Sequence, residues 1–193
     1  MSLIVERIKE SIRTKQALMD SPELLELIGQ TAGLVIETLK SGGKILLCGN
    51  GGSASDALHI AGELTGRFQL ERNALPAIAL NADVAMLTAV ANDYGYDRVF
   101  ERGVEGLMKE TDTLIGISTS GNSENVYLAV KKAREMGGHT VALLGRDGGK
   151  IKNIADIAIV VPSDCTARIQ ETHIMIGHIV CEIAEEAYAK GWK

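Results

Sequence analysis

Lys44-Ile45-Leu46-Leu47-Cys48-Gly49-Asn50-Gly51-Gly52-Ser53 is an apolar run that ends in small, glycine-rich residues, with helical character beginning near Ala54. A short strand feeding a glycine turn and then a helix leaves backbone N–H groups free at the positive end of a helix dipole, which suits an anionic oxygen. Gly-Asn-Gly-Gly also serves as an ordinary tight turn. The flanking sequence has to decide between a phosphate seat and a plain connection.

On the N-terminal side, apolar residues recur at Leu3, Ile4, Ile8, Ile12 and Leu18 with charges between them, which predicts an amphipathic helix over Ser2 to Met19. Asp20-Ser21-Pro22-Glu23 then stops that helix and starts a second, with Pro in the tolerated first turn, running to about Lys40 and ending at Ser41-Gly42-Gly43. Two helices ahead of the first strand have no sheet between them to cover their apolar faces. They are expected to pack on the later domain or on another copy of the chain, so a homo-oligomer is predicted, with residues 1–42 as the packing helices and 43–193 as the ligand-binding domain.

On the C-terminal side, strand and helix signals alternate. Strands are predicted at Pro76 to Leu80, Thr113 to Ile117, Thr140 to Leu144 and Ile157 to Val161. Helices are predicted from an Asp83 N-cap over Val84 to Ala91, at Asp97 to Lys109, at Ser123 to Met136 and from about Ala167 to Tyr188. The run Thr113-Leu114-Ile115-Gly116-Ile117 is continuously apolar, as in a parallel strand covered on both faces. The fold class is therefore α/β: one doubly wound domain with a five-stranded parallel sheet flanked by helices, whose ligands bind outside the carboxyl ends of the strands.

The whole-chain properties agree. The 193 residues are 46% apolar and 23% charged with a formal charge of −5, the composition of a soluble α/β domain with no basic footprint. A primary role on nucleic acid or on an anionic membrane surface is excluded on that ground. Cys48, Cys165 and Cys181 are widely spaced and form no disulfide framework, and they read as reduced thiols. No signal peptide opens the chain and no apolar stretch reaches about 20 residues, so a cytoplasmic protein is expected.

A second polar turn, Ser118-Thr119-Ser120-Gly121-Asn122-Ser123, follows the third strand. One Ser or Asn would suffice to cap the next helix, whereas four hydroxyls and a glycine can surround a phosphate with neutral donors. His59 and Glu63 stand four apart on the helix leaving the first turn and so share one face. They are candidates for proton transfer or for a shared divalent metal, or else a simple surface pair. The last helix sets Gln170, Glu171, His173 and His178 among apolar residues, where polar side chains need partners.

Taken together, Gly49 to Ser53, His59-Ile60-Ala61-Gly62-Glu63-Leu64-Thr65-Gly66-Arg67, Asn92-Asp93, Ser118 to Ser123, and Arg168-Ile169-Gln170-Glu171 with His178 closely resemble the sugar isomerase (SIS) domain proteins and, within them, the phosphoheptose isomerase family. The resemblance spans essentially the whole chain. It implies an aldose–ketose isomerase that converts D-sedoheptulose 7-phosphate to D-glycero-D-manno-heptose 7-phosphate through an enediol, at the start of heptose synthesis for lipopolysaccharide or other surface glycans. It further implies Glu63 as base and His178 as acid partner, with phosphate held by Ser53, Ser118, Thr119, Ser120 and Ser123. Asn50, Gly51, Gly52, Glu63, Asn92, Asp93 and Gln170 would contact the sugar or line the site. Zinc would be bound through His59, Glu63, Gln170 and His178, as in some members, and the assembly would be a homotetramer.

Gln170 and His178 stand eight residues apart, about 12 Å along one helix, which suggests a site completed across a subunit interface. Ala167 stands where some relatives carry Asp. His173 is expected in a supporting or core role, His139 on the surface, and Arg67 either attracting the substrate anion or pairing with Glu71. The rival from another class is a non-catalytic SIS protein that binds the bacterial replication initiator; its pattern lacks the acid and base present here. Another rival is an SIS enzyme acting on a different sugar phosphate.

Overall fold

A computed structural model describes residues 2–192. In chain order the elements are α1 (Ser2–Met19), α2 (Pro22–Lys40), β1 (Ile45–Gly49), α3 (Gly52–Thr65), β2 (Ala77–Ala79), α4 (Val84–Tyr94), α5 (Val99–Leu107), β3 (Thr113–Ser118), α6 (Glu124–Glu135), β4 (His139–Gly145), β5 (Ile157–Val161) and α7 (Thr166–Ala189). The five strands form one sheet in the order β2-β1-β3-β4-β5. Every neighbouring pair is parallel, with Ile45 opposite Thr113 and Gly49 opposite Ile117 in the central pair. The expected α/β class with a five-stranded parallel sheet is what the chain adopts.

The period-2 alternation of the central strands divides the core into two. Ile45, Leu47, Ile115, Ile117, Val141, Leu143 and Ile159 face α2, α3 and α7, meeting Ile28, Ala32, Val35, Ile60, Leu64, Ile176 and Val180. Leu46, Cys48, Leu114, Ala142 and Leu144 face α5 and α6, meeting Phe100, Val104, Val126, Ala129 and Val130. Because both faces are covered, β1 and β3 are buried at every position and read as continuous apolar runs. Cys48 is part of this core, where burial pushes its thiol up to about 12.

Some element boundaries depart from the sequence reading, and helix α4, expected to end at Ala91, runs to Tyr94. Strand β2 is only Ala77–Ala79, because Pro76 has no N–H to donate and Leu80 turns into a 3₁₀ segment. The helix expected over Asp97 to Lys109 is split: Gly95, at φ +89, ends α4, Tyr96–Arg98 is 3₁₀, and α5 starts only at Val99. The expected Asp83 cap is present, its Oδ1 accepting from Met86 N, and Ser21 caps α2, its Oγ accepting from Leu24 N.

The two leading helices behave differently. Helix α2 lies in the same core as β1, α3 and α7. Helix α1 buries only Thr14 and Leu18, while Leu3, Ile4, Ile8 and Ile12 of its apolar stripe are 56–67% exposed. No helix among the described residues is long and apolar enough to cross a membrane.

Candidate active site

In this strand order the chain leaves β1 and β3 in opposite directions at adjacent carboxyl ends, which opens a crevice between them. Both polar turns sit at that switch point. In the first, Gly51 takes φ +58 and Gly49 is packed so that a Cβ would come 2.7 Å from the Ser53 carbonyl oxygen. No side chain caps α3. In the second, Ser123 occupies the N-cap of α6 yet makes no side-chain cap; its Oγ lies 2.9 Å from Ser118 Oγ instead. Val126 N is taken by Asn125 Oδ1 at 2.9 Å, which leaves the N–H groups of Glu124 and Asn125 available to an acceptor from outside the chain. Gly121, at φ +66, lets the turn seat against the loop after β4, where a Cβ would lie 1.9 Å from the Gly148 oxygen.

The turns are locked together by a residue that the sequence reading missed. Asn125, buried in the first turn of α6, exchanges two amide hydrogen bonds with Asn50, at 2.8 and 3.0 Å. Tyr96 donates its hydroxyl to Asn50 Oδ1 at 2.9 Å, and Asn81 Nδ2 donates to the Gly49 carbonyl at 2.7 Å. Asn50, read as a sugar contact, therefore spends its amide on the frame. The available signal was a polar residue at an inward α6 position beside Val126 and Ala129. Asn92 and Asp93 lie exposed at the end of α4, bonded to each other at 2.8 Å, with no hydrogen bond to either turn.

Helices α3 and α7 pack side by side, and that packing assembles a second group of residues. A Cβ on Gly177 would meet Ile60 Cδ1 at 2.5 Å, so the absent side chain lets the helices approach closely. There His59 Nε2 lies 3.0 Å from Glu63 Oε1 and 3.5 Å from His178 Nε2, with one ligand atom from each of the three within 4.8 Å of the others. Two imidazole nitrogens and a carboxylate oxygen form a donor set suited to zinc or a similar divalent ion. Phe68 stacks on the His178 ring, with centroids 5.5 Å apart and planes inclined by 26°.

The fourth residue expected with this trio lies elsewhere. Gln170 sits against Gly52 at the first turn, where a Cβ would meet its side-chain amide at 2.6 Å. The trio itself forms within one chain, and the eight-residue spacing of Gln170 and His178 does not require a second subunit for that purpose. The trio also stands well away from the turns, since Glu63 lies about 16 Å along α3 from Gly52 at about 1.5 Å per residue. Asp56, one turn before His59, is half-buried with Oδ2 unpartnered; burial raises its carboxyl to about 6, with His59 pulling the other way.

His173 is fully buried, with Nε2 2.9 Å from the Leu144 carbonyl, and burial lowers it to about 4. His139 is exposed at the start of β4. Arg67 makes no ion pair with Glu71; it is Arg72 that is paired, with Glu185 of α7 at 2.9 Å. Cys165, at the N-cap position of α7, is exposed, and all three thiols are free.

Fold and site together define a parallel α/β protein with two polar glycine turns linked at the switch point of its sheet and, apart from them, a His/Glu/His cluster between α3 and α7. A family model described as the SIS domain matches residues 10–145. The chain is 57% identical over 182 residues to a phosphoheptose isomerase of Helicobacter pylori, covering 94% of this chain and 95% of that protein. It is 52% identical over 185 residues to a phosphoheptose isomerase of Clostridium acetobutylicum, covering 96% and 94%. The solved structure of phosphoheptose isomerase GmhA from Neisseria gonorrhoeae superposes with a TM-score of 0.90 at 46% identity, over 96% of this chain and 98% of that one. The chain belongs to the SIS domain family and, within it, to the phosphoheptose isomerases.

Proposed function

We propose that the protein is a cytoplasmic aldose–ketose isomerase that converts D-sedoheptulose 7-phosphate to D-glycero-D-manno-heptose 7-phosphate, supplying heptose for surface glycans. The observation that carries this reading is the convergence of His59, Glu63 and His178 in a chain of this family. The acid and base that distinguish an enzyme from a non-catalytic relative are both present and adjacent.

The reaction moves a proton between C1 and C2 through an enediol and shuttles a proton between the two oxygens. Glu63 Oε1 faces His59, which leaves Oε2 free to take the carbon-bound proton and return it to the neighbouring carbon. His178 exchanges the oxygen proton, held in orientation by the Phe68 ring. The phosphate is held by the hydroxyls of Ser53, Ser118, Thr119, Ser120 and Ser123 and by the N–H groups that make no bond within the chain, that of Gly52 at the start of α3 and those of Glu124 and Asn125 at the start of α6. Gly51 and Gly52 allow close approach of the backbone there. Asn92, Asp93 and Gln170 are proposed as sugar contacts at the rim.

The donor set of the trio fits a divalent ion. Zinc held by His59, Glu63 and His178 would supply Lewis-acid polarisation of the substrate oxygens. The roughly 16 Å between the first turn and Glu63 along α3 supports a site in which the turns of one subunit face the trio of another. The exposed stripe of α1 supports burial in the same assembly, a homotetramer.

The test is a coupled assay offering sedoheptulose 7-phosphate, fructose 6-phosphate and arabinose 5-phosphate, with and without chelator. Turnover of the heptose phosphate alone is expected. Turnover of none, together with binding to the replication initiator, would replace the enzyme reading with a binding one.

A further inference from the structure

Glu185 lies seven residues beyond His178 on α7 and is 2% exposed. Its carboxylate accepts four hydrogen bonds. Phe68 N donates to Oε1 at 3.0 Å, Gln69 N and Leu70 N donate to Oε2 at 2.7 and 2.8 Å, and Arg72 Nε donates to Oε1 at 2.9 Å. Burial opposes this charge, yet the N–H donors and Arg72 hold the carboxyl below its usual range. The Arg72 guanidinium, itself 3% exposed, donates onward to the carbonyls of Glu63 at 2.8 Å and Leu64 at 2.9 Å. Those are orphan carbonyls at the C-terminal end of α3, where a cation is favoured.

One buried ion pair therefore ties the end of the helix carrying His59 and Glu63 to the helix carrying His178. The loop between them is folded so that Phe68 lies on the His178 ring. Breaking such a pair by neutralising one partner leaves the other charge buried and unpaired.

We propose that Glu185 and Phe68 are positioning residues for the isomerisation: Glu185, through Arg72 and the Phe68–Leu70 amides, holds the Phe68 ring on His178 and so fixes His178 against Glu63. Neither residue touches the substrate. The inference rests on the isomerase reading for its kinetic consequence, and on geometry alone for the ring contact.

The experiment uses the full-length protein with Phe68→Leu, Phe68→Tyr and Glu185→Gln. Steady-state kinetics on sedoheptulose 7-phosphate are expected to show kcat reduced by about 10- to 100-fold in Phe68→Leu, the range for residues that orient a catalytic group. KM should stay near the parent value, and Phe68→Tyr should restore kcat. In parallel, a nuclear Overhauser contact between the Phe68 and His178 ring protons is expected in the parent and lost in Glu185→Gln. If Glu185→Gln does not fold, Phe68→Leu carries the test, since it keeps the brace and nearly the same volume. Parental kcat in Phe68→Leu, or absence of the ring contact in the parent protein, would overturn the proposal. A parent protein that shows the ring contact but no turnover would instead refute the isomerase reading and leave the brace standing.

Discussion

At the residue scale, the functional side chains are defined by what else is available to bond them. Glu63 has one oxygen on His59 and one free, so Glu63→Gln removes the proposed base while keeping shape. That variant and His178→Ala are each expected to lose exchange of the C1/C2 proton with solvent, with kcat down by about 10²- to 10⁴-fold. Phosphate-dependent binding should persist, and normal exchange in either variant would remove that residue from its role. Gly121→Ala forces a Cβ into the Gly148 carbonyl at a φ that disfavours any side chain. A loss of about 2–4 kcal/mol in urea unfolding is expected. His173 is held neutral, lowered from 6.5 to about 4 chiefly by burial. The unfolded chain binds the extra proton below pH 6.5, so the stability from this group is complete above that pH and is lost as pH falls toward 4. Between pH 6.5 and 5 the parent should lose on the order of 1–2 kcal/mol more than His173→Gln. Equal slopes in the two proteins would rule out His173 as the cause.

At the scale of elements, each functional cluster is made by two helices rather than by one motif. The turns are coupled because Asn50, after β1, and Asn125, in α6, satisfy each other's amides. Asn125→Ala leaves the half-buried Asn50 amide with Tyr96 as its remaining side-chain partner, a cost of about 1–3 kcal/mol. It should raise KM for the sugar phosphate more than it lowers kcat, as steady-state kinetics would show. Helix α1 is amphipathic in sequence but presents its apolar stripe outward. An exposed stripe of this kind marks an interaction surface. If α1 packs on another copy as proposed, the double variant Ile4→Glu/Ile8→Glu should sediment as a smaller species than the parent, with helix content unchanged. An unchanged sedimentation coefficient would place the interface elsewhere.

At the scale of the molecule, the sheet order gives the crevice, and the parallel packing of α3 on α7 gives the His/Glu/His cluster. Most of the fold was legible because it is written in local chemistry. Continuous apolar runs require strands covered on both faces, and Ser21 and Asp83 start helices in the sequence as they do in the structure. The splitting of the helix expected from Asp97 was less legible, since it depends on Gly95 adopting a positive φ in its tertiary setting. The same division holds for the site. His59 and Glu63 share a helix face by spacing alone, and the hydroxyls of Ser118 to Ser123 crowd a strand end by sequence. The joining of His178 to that pair, the placing of Gln170 at the first turn, the bridge from Asn50 to Asn125 and the Phe68–Glu185 brace involve residues 75 to 119 positions apart. By itself, then, the sequence determined the element types, the parallel α/β class and the two polar glycine turns, because propensity, capping and periodicity act over a few residues. Only the tertiary structure decided which polar groups meet and which are spent on the frame, because that depends on the approach of α3 to α7, permitted where Gly177 leaves room for Ile60.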